Sequence, residues 1–180
     1  MAKSILIYCG SSKGHDSVYE EEAKKLVRAL KKYDCKIIFG AGSVGLMGVL
    51  ADEYLALGGE VIGVIPEALE TAEVANRDCT QLHVVKDMHE RKALMEQLSD
   101  AFVVLPGGFG TLDEACEILT WAQLGLHAKP LGLINTAGYY DLLTAFLDHA
   151  QGEDFISATN RRLVQVEATA AALLERLTAG

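Results

Sequence analysis

The chain is poor in proline, with three in 180 residues, poor in aromatics, at 7%, and poor in positive charge. Pro66, Pro106 and Pro130 all fall at the edges of apolar or helical runs. No Pro-rich or low-complexity linker divides the chain, so residues 1–180 read as one domain. Sixteen Lys and Arg face 25 Asp and Glu, a formal net charge of −9. A surface of that sign repels polyanions, which argues against general nucleic-acid binding and adsorption to acidic membranes. It does not exclude one small phosphate held by local backbone dipoles. The four cysteines, Cys9, Cys35, Cys79 and Cys116, show no CxxC or zinc spacing, and the five histidines are scattered. No metal site is expected, and buried thiols in a reducing compartment are the expected use of the cysteines. No apolar run approaches the roughly 20 residues of a membrane helix. Residues 1–8 enter a strand pattern without a signal-peptide core. A soluble, cytoplasmic protein is the expectation. The chain is also too short for a full dinucleotide-binding domain with a separate catalytic domain, although it is long enough to bury roughly 70% of its unfolded surface.

What is present is a regular alternation. Ser4–Tyr8, Lys36–Phe39, Val61–Ile65, Phe102–Leu105 and Leu131–Ile134 are short apolar runs of the kind buried strands use, and Leu163–Val166 is a weaker sixth. Helical patterns occupy Ser17–Tyr33, Gly45–Leu57, Met88–Leu98, Thr111–Leu124, Tyr139–Ala150 and Ala168–Leu177. This rhythm predicts an α/β fold: a doubly wound, mostly parallel sheet with helices on both faces. Pro66–His83 is predicted to be the one long irregular stretch, a polar loop over the site.

Ligands of open parallel sheets bind beyond the carboxyl ends of the strands. Three of those ends carry glycines or small hydroxyl residues: Cys9-Gly10-Ser11-Ser12-Lys13-Gly14, Gly40 to Gly48, and Pro106-Gly107-Gly108-Phe109-Gly110-Thr111-Leu112-Asp113-Glu114. A strand, a glycine loop and a helix start together make an anion cradle from unpaired N–H groups and the positive end of the helix dipole. Gly107–Thr111 is the best candidate, with the Thr111 hydroxyl as an added donor. Gly40-x-Gly42-x-x-Gly45 approaches a dinucleotide-binding pattern, but the next strand ends in Pro66-Glu67, a partial match to the acidic companion such a site uses.

The spacing Thr111-x-x-Glu114 favours a capping box, with Thr111 capping a helix and Glu114 reaching back to it. The competing role is a carboxylate projecting into the crevice. Arg91 and Lys92 stand in the first turn of a predicted helix, where positive charge opposes the dipole. An anionic ligand or a partner carboxylate would offset that cost, whereas a solvated face is the plainer use of Lys92. Cys9 is expected to be a packed cysteine rather than a nucleophile. Trp121, Leu124, Met88 and Met95 suit core or interface packing better than a base pocket.

Pro106 to Glu114 resembles the PGGxGTxxE signature of the Lonely Guy (LOG) family of cytokinin riboside 5′-monophosphate phosphoribohydrolases, and Met88-His89-Glu90-Arg91-Lys92 is similar to its MHxRK signature. Gly42–Gly48, Cys9–Ser12, Trp121–Gly125 and Gly138–Asp141 also match, in order, and the likeness covers nearly the whole chain to about Ile156. Ala41 departs from it, standing where the family often has a glycine. The resemblance implies a Rossmann-like fold, usually a homodimer, with no metal or organic cofactor. It implies hydrolysis of a nucleoside 5′-monophosphate to a free base and ribose 5-phosphate, with Arg91 and Glu114 catalytic. Gly107, Gly108, Gly110 and Thr111 would form the phosphate loop. Phe109, Asp113, Lys92, Met88, Ser11 and Gly10 are further candidates for substrate contact, and Glu73 corresponds to a glutamate in the loop before MHxRK. The alternative is a nucleotide-binding module of the same fold without hydrolysis. A decarboxylase lacks an identifiable pyridoxal-type lysine environment, and an NAD oxidoreductase is poorly supported.

Overall fold

The computed structural model describes residues 3–70 and 74–178. Seven strands, β1 (Ser4–Tyr8), β2 (Lys36–Phe39), β3 (Val61–Pro66), β4 (Gln81–Val85), β5 (Ala101–Val104), β6 (Leu131–Ile134) and β7 (Val164–Glu167), form one sheet in the order β4-β3-β2-β1-β5-β6-β7. Every pairing in it is parallel. The helices are α1 (Ser17–Lys31), α2 (Gly45–Ala56), α3 (Met88–Leu98), α4 (Phe109–Gln123), α5 (Asp141–Gly152), α6 (Ala158–Arg161) and α7 (Ala170–Thr178). Among the described residues no helix is long and apolar enough to cross a membrane.

Strand pleating decides which face each residue feeds. Ile5 and Ile7 join Leu26, Leu30, Leu50 and Leu173 in a core beneath α1, α2 and α7. Leu6 and Tyr8 join Met95, Ala115, Ile118 and Tyr140 in a second core beneath α3, α4 and α5. In α1, Ala23, Leu26, Val27 and Leu30 are all at most 1% exposed. Burying each of the larger three is worth about 1.5–3 kcal/mol. The helix starts at Asp16, whose carboxylate accepts the Val18 N–H at 3.0 Å.

The structure corrects the sequence expectations at several places. Gln81–Val85 is a strand, so the expected loop Pro66–His83 ends early. As an edge strand it exposes Gln81 and Val84, which removes the apolar run that marks buried strands. The short helix α6 carries too little pattern to be foreseen. Cys9 and Cys35 are buried, but Cys79 is half-buried and Cys116 lies exposed on α4, against the expectation of buried thiols throughout. Helix α4 begins at Phe109, two residues before its predicted start, with consequences for Glu114.

The chain winds outward from β1 through β2 and β3 to β4, then returns through α3 to place β5 on the other side of β1. The carboxyl ends of β1 and β5 therefore flank the switch point where open α/β sheets form their crevice.

Candidate active site

Backbone hydrogen bonds join the three glycine-bearing loops. Gly10 N–H donates to the Pro106 carbonyl at 3.0 Å, and Leu46 N–H donates to the Gly10 carbonyl at 3.0 Å. Gly45 sits at φ +66°, and a Cβ there would lie 2.2 Å from the carbonyl carbon of Ser11. Both the left-handed conformation and the close crossing require glycine. From the outer side, residues 74–76 run along the second loop: Ser43 N–H donates to Val74 O at 2.8 Å and Asn76 N–H to Ala41 O at 2.7 Å. Ala41 adopts φ +56° and is fully buried. The left-handed backbone costs an alanine about 1–2 kcal/mol, and burying its methyl returns about 0.8 kcal/mol, so the departure from glycine is only partly offset.

Helix α4 has Gly108 as its N-cap and no side chain capping its first turn. Its leading N–H groups are the unpaired donors every helix start presents, here at the switch point. A Cβ on Gly108 or Gly110 would meet nothing within 4 Å, so both positions border open space. Because the helix starts at Phe109, Thr111 is its third residue rather than its cap. The capping box expected from Thr111 and Glu114 does not form. Reciprocal capping occurs instead at α3: Asp87 Oδ1 accepts the N–H groups of His89 at 2.9 Å and Glu90 at 3.0 Å, and Glu90 Oε2 accepts that of Lys86 at 2.8 Å. Those donors hold the Asp87 carboxyl below its ordinary value, the Glu90 N–H most of all.

Two carboxylates thus answer the dipole of α3, and Arg91 turns inward. Its Nε donates to the Val64 carbonyl at 3.1 Å and its Nη1 to Glu114 Oε1 at 2.6 Å. The two side chains are only 10% and 11% exposed. Gly40 makes room for the guanidinium, since a Cβ there would lie 1.9 Å from Nη2. Burial pushes the Glu114 carboxyl above its ordinary value, and the Arg91 guanidinium pulls it only part of the way back. The positive charge that appeared costly in a first turn is therefore matched by a carboxylate from the neighbouring helix.

The crevice has two lobes that share Ser11 and Gly108. One, of about 210 Å³, is lined by Arg91, Glu114, Cys9, Met47, Met88, Phe109, Gly110, Thr111 and Asp113 as well. The other, of about 310 Å³, is bordered by Gly10, Ser12, Lys13, Tyr19, Gly107 and Tyr139 among others. All of the expected site residues except two therefore border one lobe or the other. Lys92 lines neither; its ammonium is 2.8 Å from Asp113 Oδ2 and 3.4 Å from Glu117 Oε2. Glu73 lies outside the described residues. Sequence reasoning did not single out Tyr19, and met Met47 and Tyr139 only as parts of matching segments. Tyr139 donates to the Gly107 carbonyl at 2.8 Å and packs edge-to-face on Tyr19, with ring centroids 5.6 Å apart. The available signal was that Tyr139 follows the carboxyl end of β6, on the same edge of the sheet as the glycine loops.

A family model described as "possible lysine decarboxylase" matches residues 47–177. Over 97% of its length the chain is 43% identical to the cytokinin riboside 5′-monophosphate phosphoribohydrolase LOG3 of Arabidopsis thaliana, covering 81% of that protein. It is also 43% identical, again over 97% of its length, to the cytokinin riboside 5′-monophosphate phosphoribohydrolase LOG of Oryza sativa subsp. japonica, covering 72% of it. The X-ray structure of TM1055 matches with a TM-score of 0.74 at 25% identity, covering 99% of both chains. The molybdenum cofactor carrier protein of Chlamydomonas reinhardtii matches with a TM-score of 0.71 at 20% identity, covering 98% of both chains, a likeness of fold alone. Two signatures that meet across α3 and α4 and this extent of identity lead to one assignment: the chain belongs to the Lonely Guy family.

Proposed function

We propose that the protein is a phosphoribohydrolase that cleaves the N-glycosidic bond of cytokinin riboside 5′-monophosphates, of AMP, or of both, releasing the free base and ribose 5-phosphate. The observation that carries this reading is the buried Arg91–Glu114 pair, 2.6 Å apart, beside the uncapped start of α4. The phosphate binds at that helix start, to the N–H groups of the Gly107–Thr111 loop and the Thr111 hydroxyl, with the Gly10–Ser11 loop opposite. Glu114 lies about 7.5 Å further along the helix than Phe109, at 1.5 Å per residue. On this reading its carboxylate faces the ribose rather than the phosphate.

Departure of the base leaves positive charge on the ribose, as in glycoside hydrolysis. Arg91 holds Oε1 of Glu114, and Glu114 makes no other hydrogen bond among the described residues. Oε2 therefore stabilises the developing cation and orients the attacking water or takes its proton. The phosphate contacts supply remote binding energy that positions the reacting carbon. Met47, Met88 and the exposed Phe109 give this lobe an apolar side that suits an alkylated base.

The test is base release from AMP and from isopentenyladenosine monophosphate, with the two rates compared. Wild-type turnover is expected, with kcat falling about 100-fold or more in Glu114→Gln. Because ionised Glu114 is the working form and burial raises its proton affinity, kcat falls as pH drops through a value above the ordinary carboxylate range. Nucleotide binding without turnover would favour a non-catalytic module.

The same reading includes a homodimer in the cytoplasm. Leu142 and Phe146, one turn apart on α5, are 87% and 61% exposed. Apolar side chains so placed suit a subunit contact.

A further inference from the structure

We propose that Lys92 is a positioning residue for Glu114: clamped between Asp113 and Glu117, it sets α3 against α4 and balances the negative charge around the catalytic carboxylate. The inference rests on the reading of Glu114 as catalytic. It differs from the expectation that Lys92 touches substrate.

Lys92 has a side chain 13% exposed, and its ammonium lies 2.8 Å from Asp113 and 3.4 Å from Glu117. To reach a phosphate in the crevice it would have to abandon both carboxylates. Arg91 and Lys92 are successive residues of α3, and Asp113 and Glu114 are successive residues of α4, with Glu117 one turn beyond Asp113. Successive helix residues stand about 100° apart around the axis. One ion pair across the seam would be a pivot about which either helix rolls. Two pairs at different azimuths stop the roll and hold the 2.6 Å contact between Arg91 and Glu114 in place.

The charge count points the same way. Arg91 and Lys92 from α3 face Asp113, Glu114 and Glu117 from α4. Tyr8, the last residue of β1, and Cys9, which follows it, also face Glu114, and burial pushes both far up, so they stay neutral where a carboxyl titrates. Arg91 and Lys92 both favour the ionised form of Glu114, and Asp113 opposes it. Without Lys92, Glu114 loses a nearby cation while Asp113 stays uncompensated beside it, and it holds its proton to higher pH, whereas loss of the Asp113 charge has the opposite effect. Partly exposed ion pairs add little to stability, so the clamp acts on turnover more than on folding.

The experiment compares Lys92→Met, Lys92→Arg and Asp113→Asn with wild type, using AMP and isopentenyladenosine monophosphate. It records kcat and KM against pH, together with a ¹³C NMR titration of the Glu114 carboxyl, assigned by its absence in Glu114→Gln. Lys92→Met is expected to lower kcat roughly tenfold or more at neutral pH with KM within about twofold of wild type. Its acid limb moves to higher pH, that of Asp113→Asn moves to lower pH, and Lys92→Arg restores most of kcat. A raised KM with kcat and the acid limb unchanged would make Lys92 a substrate ligand and overturn the proposal. If wild type turns over neither nucleotide, the functional reading fails, and the NMR titration still decides: a Glu114 signal unmoved by Lys92→Met sinks the positioning role. Should Lys92→Met not fold, an unmoved acid limb in Asp113→Asn has the same force.

Discussion

At the scale of the residue, Glu114 and Gly40 show how position alters the meaning of a side chain. Glu114 has the spacing of a capping glutamate, yet it is the sixth residue of α4 and spends its carboxylate on Arg91. Gly40 lies far from both in sequence and is where the guanidinium passes. Gly40→Ala is therefore expected to displace Arg91 from Val64 O and Glu114, and to lower kcat about 100-fold, the scale of a misplacement near 1 Å. Circular dichroism of the variant should match wild type, because the obstructed group is a side chain rather than a strand. Wild-type kcat in Gly40→Ala would show that Arg91 finds an equivalent position and that the close approach is unimportant.

At the scale of the element, the start of α3 is the feature to perturb. Asp87 caps it and Glu90 closes the reciprocal contact, so the turn carrying Arg91 is held from both ends. Asp87→Ala is expected to lower the melting temperature and to loosen Arg91, reducing kcat more than it changes KM. The effect depends on pH with a definite sign. The folded state holds the Asp87 carboxyl below 3.8, so its stabilisation is present above that unfolded value and is lost as pH falls through the folded one. The difference in melting temperature between wild type and Asp87→Ala should therefore shrink in acid. A difference that persists unchanged at the lowest pH would assign the effect to something other than the ionised cap. Legibility also varies with the element. The strands around β1 were readable because burial on both faces demands continuous apolar runs. The edge strand β4 was not, because water on one side allows Gln81 and an exposed Val84.

At the scale of the whole molecule, the exposed apolar side chains of α5 bear on assembly. If Leu142 and Phe146 face a second copy, the double variant Leu142→Glu, Phe146→Glu should run as a monomer in size-exclusion chromatography with light scattering, beside a dimeric wild type. A monomeric wild type would dismiss that surface as an interface. The acidic surface fits the proposed ligand only because the phosphate site is local: helix-start N–H groups and a hydroxyl act over one loop, while the net charge acts at long range and is screened.

The sequence by itself determined the alternation of strands and helices, the three loops beyond the strand ends, and the two signatures that carry the family. Hydrophobic period and glycine placement are local quantities, legible within a few residues. Only the tertiary structure decided that Glu114 pairs with Arg91 instead of capping α4, that Lys92 is bound to Asp113 and Glu117 outside both lobes, and that Tyr19 meets Tyr139 across the crevice. Each of these is a contact between elements whose separation is set by the order of strands in the sheet. The partner of a buried charge follows from which helices that order brings together, and spacing along one helix contains no information about it.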